Sequence, residues 1–212
     1  MEILPAVLAR DATDCKARLL HDGLRRVAPM FHVDVLDGSM FDATCFADPT
    51  VIGQWENLPD IEVHFMVHNP LPHIVAWHEH VATTKRVLIH AEVARPLGAI
   101  IERATQLGLE TGLVLNPETK VERIEHHLHD LDALQLMGIH PGASGRPFLG
   151  EPILAKIRRA RQLYPNLVIA VDGGVGPSTL GPLREAGATR CVASSAIWAS
   201  EDPAEAYRNL VY

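Results

Sequence analysis

The chain is poor in lysine, in cysteine and in long runs of any one kind. Only four lysines occur among its 212 residues: Lys16, Lys85, Lys120 and Lys156. Nineteen Lys and Arg stand against 26 Asp and Glu, a net charge of −7, and no basic run interrupts that balance. An acidic chain without a cationic stripe argues against general binding to nucleic acid or to an anionic membrane surface. The three cysteines, Cys15, Cys45 and Cys191, are odd in number and far apart. They make neither a CxxC pair nor a disulfide framework, which fits a reducing compartment and a cytoplasmic protein. No apolar run nears the roughly 20 residues that span a bilayer. The opening MEILPAVLARD has no basic segment, so a signal peptide is not expected. Linkers, low-complexity segments, a GxSxG elbow and a P-loop are missing too.

What is present is an ordinary globular composition, 47% hydrophobic and 21% charged, at a length that can bury a large core. Short apolar β-rich runs alternate with amphipathic stretches. Strands are expected at 3–8, 30–36, 61–67, 86–90, 111–115, 133–137, 167–171 and 190–193. Helices are expected at 13–27, after Asp48-Pro49, at 72–81, around 97–107 with Gly108 as its stop, and at 118–129. Three more follow: one carrying Ile153, Leu154, Ile157 and Ala160, one opened by Ser178 and closed by Gly187, and one at 203–210. Eight strand–helix units of roughly 26 residues each is the number that closes a (β/α)8 TIM barrel, near its lower size limit. Residues 1–212 are therefore read as a single barrel domain. A doubly wound open sheet has the same periodicity and is the competing topology.

In such a barrel, reactive residues gather at the carboxyl ends of the strands. The second strand there reads His32-Val33-Asp34-Val35-Leu36 and the third Val63-His64-Phe65-Met66. Alternation places His32, Asp34 and Leu36 on one face and the valines on the other, against the helices. His64 and Met66 share the inward face of the next strand, and Asp172 ends the seventh. Buried histidines and aspartates are costly unless paired or ligated. A His2Asp2 set suits a divalent ion such as Zn2+, Fe2+, Mn2+ or Co2+ with room for substrate. The blander reading is a buried His–Asp pair beside unrelated polar residues. His90 and Glu92 also share a face; they orient ligands or serve structure alone.

The loops after the last two strands, Asp172-Gly173-Gly174-Val175-Gly176 and Ala193-Ser194-Ser195-Ala196, fall where barrels commonly bind phosphate through loop amides. The loop Pro141-Gly142-Ala143-Ser144-Gly145-Arg146 is placed to fold over them, and Arg146 either meets the phosphate or stays solvated. No lysine is expected at a strand's carboxyl end, which argues against a Schiff-base aldolase. Of the twelve histidines, His126, His127 and His129 read as surface residues, and His68, His73, His78 and His80 as incidental.

At these residues the chain resembles the ribulose-phosphate 3-epimerase family. The matching stretches are FHVDVLDG (31–38), VHFMVHNP (63–70), IHAEV (89–93), GLVLNPET (112–119), HPGASGRPF (140–148), VDGGV (171–175) and ASSAIW (193–198), in the family's order. The resemblance implies a metal-dependent, ribulose-phosphate-binding barrel of carbohydrate metabolism that inverts a carbon beside a ketone in a sugar phosphate. It implies one divalent metal ion held by His32, Asp34, His64 and Asp172, with Asp34 and Asp172 also the acid–base pair. It places Met66 and Met137 around the reaction intermediate. Gly142, Gly145, Gly173, Gly174 and Ser195 then contact substrate phosphate, with Ser194 where the family has a glycine. The expected partner is a small-molecule sugar phosphate, in a homo-oligomer without nucleic acid or membrane.

Departures from the family pattern fall in the substrate shell and lid. Ala9 replaces a serine expected near the substrate, Leu36 a methionine, and Ser39-Met40 a His-Phe pair. Ala143-Ser144-Gly145-Arg146 stands for FGGQ. The expected metal set is complete, so the departures bear on which ketose phosphate is the substrate.

Overall fold

The computed structural model describes residues 1–142 and 145–211. Eight strands, β1 (Glu2–Val7), β2 (Phe31–Leu36), β3 (Ile61–Met66), β4 (Thr84–His90), β5 (Glu110–Leu115), β6 (Ala133–Met137), β7 (Val168–Asp172) and β8 (Arg190–Ala193), pair in chain order. Every pairing is parallel, and β8 returns to β1. The sheet is thus a closed (β/α)8 TIM barrel, and the open-sheet alternative is excluded. Around it lie α1 (Ala12–Leu19), α2 (Asp22–Arg25), α3 (Pro49–Ile52), α4 (Pro70–His80), α5 (Leu97–Gln106), α6 (Glu151–Leu163), α7 (Pro177–Ala186), α8 (Ser195–Trp198) and α9 (Pro203–Val211). Among the described residues, no helix is long and apolar enough to cross a membrane.

Strand alternation divides the interior in two. Val33, Val35, Val63 and Phe65 face outward and join Ile74, Trp77 and Ile100 of the helices in the main core. Each such buried side chain contributes about 1.5–3 kcal/mol. The inward positions hold a separate apolar group, Leu88, Val114 and Met137, beside polar ones. The register sets His32 opposite Glu62, Asp34 opposite His64, Glu62 opposite Arg86 and Met137 opposite Asp172.

Three local expectations are corrected. The helix expected at 13–27 is two helices, because the His21 ring caps a new start by accepting the Leu24 N–H at 3.3 Å. Gly23 lets that second piece press on Ala204, where a Cβ would come within 2.7 Å. The helix expected at 118–129 is a 3-10 helix, Val121–Asp130. Its buried Val121 and Ile124 are three apart, the spacing that a three-residue turn stacks. The helix after β7 starts not at Ser178 but at Pro177, capped by Gly176, whose N–H donates to Thr179 Oγ1 at 2.9 Å. Proline at the first helical position loses no bond.

All three cysteines are free thiols. Burial pushes Cys15 and Cys191 up to about 12, and Cys45 to about 11. Only the thiolate reacts, so a disulfide reagent at pH 8 is expected to leave Cys15 and Cys191 of the native protein unmodified over hours. Titration in denaturant should release all three.

Candidate metal centre and active site

Two neighbouring strands and one more distant strand build the centre. His32 and Asp34 come from β2, His64 from β3 and Asp172 from the last position of β7. One ligand-type atom from each of the four lies within 4.8 Å of all the others. His32 Nε2 is 3.3 Å from Asp34 Oδ1 and 3.9 Å from Asp172 Oδ2. His64 Nδ1 is 3.0 Å from Asp34 Oδ1 and 3.5 Å from Asp172 Oδ2. Both imidazoles are fully buried and Asp34 is 7% exposed. Two imidazole nitrogens and two carboxylates converging on one point fit a borderline divalent ion, with further positions open toward the cavity.

Electrostatics in the metal-free protein follow from that crowding. Burial would raise the Asp34 carboxyl, but hydrogen bonds and charge from His32 and His64 carry it below the ordinary range. Burial would lower His32, and Asp34 and Glu62 raise it well above the ordinary value. His64 is likewise lowered by burial and raised overall by Asp172 and Asp34.

Each histidine is held from behind. His32 Nδ1 lies 2.7 Å from Glu62 Oε1, so Nδ1 carries the hydrogen and Nε2 faces the aspartates. His64 Nε2 lies 3.0 Å from His90 Nε2, and His90 Nδ1 lies 3.3 Å from Glu92 Oε2. A carboxylate only accepts, so His90 Nδ1 is the protonated atom. Its Nε2 then accepts from His64 Nε2–H, so His64 Nδ1, which shares a proton with Asp34 in the metal-free protein, is the ring nitrogen free to give its lone pair to an ion. Glu92 is fixed in turn by the Asn116 N–H at 2.9 Å and by the Thr119 hydroxyl. Burial would raise Glu92, but these donors and His90 bring it down to about 2. His90 and Glu92 therefore line up behind a ligand-type histidine, the arrangement weighed for them from sequence.

Glu62 is the residue sequence reading missed. It is fully buried, accepts from Arg86 Nη1 at 2.7 Å, and has Arg190 Nη1 at 3.8 Å. Burial would raise its carboxyl, yet His32, Arg86 and Arg190 lower it to about 2. Its signal was available, since it stands two residues before His64 and so shares its inward face. Gln135 of β6 was also missed; its Nε2 reaches Asp172 Oδ2 at 3.5 Å.

Above the four residues opens a small pocket at the barrel mouth. Asp34, Asp172, Met66, Met137, Gly142, Gly145, Gly173, Gly174, Ser194 and Ser195 all line it, while His32 and His64 lie buried beneath. Trp198 Nε1 donates to the Ala6 carbonyl at 2.5 Å and ties the short helix after Ser194 to β1. Phe41 packs edge-on against His90, the ring centroids 5.4 Å apart. One expectation shifts. Ala9 does not line the cavity; Ala6 and Leu8 do, with Leu36, and make that wall apolar. Of the two readings left open for Arg146, the structure shows the solvated one: it is exposed and donates to the His140 carbonyl at 3.3 Å. Ala143 and Ser144 of the lid lie outside the described residues. Lys156 sits on α6 and not on a strand; its ammonium reaches the Asn116 carbonyl just past the end of β5 at 2.6 Å and does not line the cavity.

Gly174 shows why the first loop is glycine-rich. Its φ is +70°, and a Cβ would stand 2.7 Å from Phe148 Cα. Gly174→Ala is expected to cost about 1–3 kcal/mol, read as a lower denaturation midpoint, and to weaken anion binding in the cavity.

A closed barrel with a His2Asp2 cluster that could hold a metal ion, under a cavity lined in part by glycines and serines, defines the class: a TIM barrel with a metal-type centre. The profile of the ribulose-phosphate 3 epimerase family matches residues 2–198. A Bacillus subtilis ribulose-phosphate 3-epimerase is 31% identical over 95% of this chain and 94% of its own. The cytoplasmic isoform from Oryza sativa subsp. japonica is 30% identical over 96% of this chain and 90% of its own. The chain belongs to the ribulose-phosphate 3 epimerase family, enzymes of the isomerase class. A solved 3-hexulose-6-phosphate synthase from Salmonella typhimurium is 13% identical, with a TM-score of 0.72 over 99% of this chain and 96% of that one, a likeness of fold alone.

Proposed function

We propose that this chain is a divalent-metal-dependent epimerase that inverts C3 of a ketose phosphate, with D-ribulose 5-phosphate and D-xylulose 5-phosphate as the leading pair. One observation carries the reading. Two carboxylates and two imidazoles meet at the floor of a cavity whose rim is built of glycines and serines. An acid–base pair and an anion cradle thus open onto one space.

His32, Asp34, His64 and Asp172 would hold the ion, Zn2+ first, with Fe2+, Mn2+ or Co2+ as the other fitting choices. When bound, it would draw electron density from the substrate carbonyl and acidify the neighbouring C–H. Asp34 stands on β2 and Asp172 on β7, so the two carboxylates reach the reacting carbon from different sides. One removes the proton and the other returns one to the opposite face. Met66 and Met137 supply uncharged, polarizable surface beside them. Gly173, Gly174, Ser194 and Ser195 receive the phosphate through loop amides and hydroxyls, and Gly142 and Gly145 bring the loop after β6 over it.

Chelator-treated protein is expected to lose epimerase activity and to regain it with a divalent ion, followed by the C3–H signal of ribulose 5-phosphate. Protein loaded with each of the four metals that epimerises no ketose phosphate would overturn the reading. A second substrate assignment is favoured by the apolar wall of Ala6, Leu8 and Leu36. That wall offers no side-chain donor to a hydroxyl, so another pentulose or hexulose phosphate is the alternative, decided by kcat/KM across a panel. A non-catalytic sugar-phosphate barrel has no use for two opposed carboxylates. A cytoplasmic location rests on the free buried thiols and on the cytoplasmic rice relative. Self-association into a homo-oligomer belongs to the same reading and is checked by sedimentation equilibrium.

A further inference from the structure

We infer that Glu62 is a positioning residue for the metal centre: anchored by Arg86 and Arg190, its carboxylate accepts the Nδ1–H of His32 and keeps His32 Nε2 turned to Asp34 and Asp172. The inference rests on the reading of His32 as a ligand.

The geometry is a chain of contacts through the barrel interior. Glu62 Oε1 meets His32 Nδ1 at 2.7 Å, and Oε2 accepts from Arg86 Nη1 at the same distance. Arg190 Nη1 stands 3.8 Å from Oε2 and has no hydrogen-bond partner among the described residues. Outer carboxylates close the line at both ends, Glu110 on Arg86 and Glu2 on Arg190. Stability alone does not account for this arrangement, because buried ion clusters are commonly replaced by packed apolar groups without loss. What an apolar residue cannot do is accept the Nδ1–H of an imidazole. With that acceptor gone, the partners left to the ring are Asp34 and Asp172, which face Nε2 and favour the hydrogen on the nitrogen that an ion needs. The carboxylate also makes Nε2 a better donor, and losing such a partner typically lowers metal affinity 10–100-fold.

The test measures zinc binding by competition with a chromophoric chelator in wild type, Glu62→Ala and Glu62→Gln. A second readout is the ring Nδ1–H resonance of His32 in zinc-loaded, 15N-labelled protein. Wild type should bind zinc and show a protected Nδ1–H. Glu62→Ala should bind about 10–100-fold more weakly and lose that resonance to solvent exchange. The near-isosteric Glu62→Gln should keep the resonance, because its amide oxygen still accepts, while affinity falls by a smaller factor. Should Glu62→Ala not fold, the Gln variant decides alone: weaker zinc binding supports the inference and unchanged binding overturns it. A merely structural Glu62 would lower the unfolding temperature of Glu62→Ala while affinity and resonance stayed as in wild type, which also overturns it. Wild type that binds no zinc through His32 would instead remove the metal reading itself.

Discussion

Asparagine in place of Asp172 is expected to lower epimerisation about 1,000-fold or more while one of the two proton exchanges continues. The reason is geometric. A planar intermediate presents two faces, and a carrier on β2 does not reach the face served from β7. With Asp172 gone, Asp34 still removes the C3 proton of the epimer it faces and returns deuterium from D2O to the same face. Exchange without inversion is the signature, and Asp34→Asn should give it for the opposite epimer. Both residues are also expected ligands, so each variant is compared fully metal-loaded, with bound metal measured beside turnover. Inversion at the wild-type rate in either loaded variant would sink the two-aspartate mechanism.

The residues of that mechanism were legible in the sequence because strands announce their faces. His32, Asp34 and Leu36 alternate with valines, and His64 and Met66 with Val63 and Phe65, so polar-in and apolar-out could be assigned without a partner strand. Closure followed from counting eight units. The convergence of Asp172 with His64 needed both statements together, since strands three and seven meet only near the barrel axis.

What was not legible depends on partners in other strands. Spacing to His64 puts Glu62 on the inward face, but no local spacing joins it to Arg86 or Arg190. Only the register, with Glu62 opposite both His32 and Arg86, shows the charges neutralising one another. The cavity wall failed similarly. Ala9 and Ala6 both lie in one short stretch, and the choice between them depends on where β1 ends at Val7. The break at His21 turns on a ring nitrogen accepting a backbone N–H, a cap that histidine seldom supplies and that a list of favoured capping residues passes over.

Arg86→Met is expected to destabilise the protein by about 3–5 kcal/mol, among the largest costs of any single substitution outside the hydrophobic core. Arg86 is nearly buried and donates to the fully buried Glu62 at 2.7 Å. Methionine fills similar volume, so little of the loss comes from a cavity. The loss comes from a carboxylate left inside the barrel with Arg190 at 3.8 Å and the His32 ring as its remaining partners. Glu110, on the other side of Arg86, is half exposed and is rehydrated at small cost. Thermal unfolding should register a drop of roughly 10 °C for a chain of this size. Removing the acid together with the base separates charge from packing: Glu62→Met combined with Arg86→Met should recover much of the stability, because no unpaired charge remains between those two positions. It should not recover zinc affinity, because His32 still lacks its acceptor. A double variant as unstable as Arg86→Met alone would show that Arg86 acts through shape and not through Glu62.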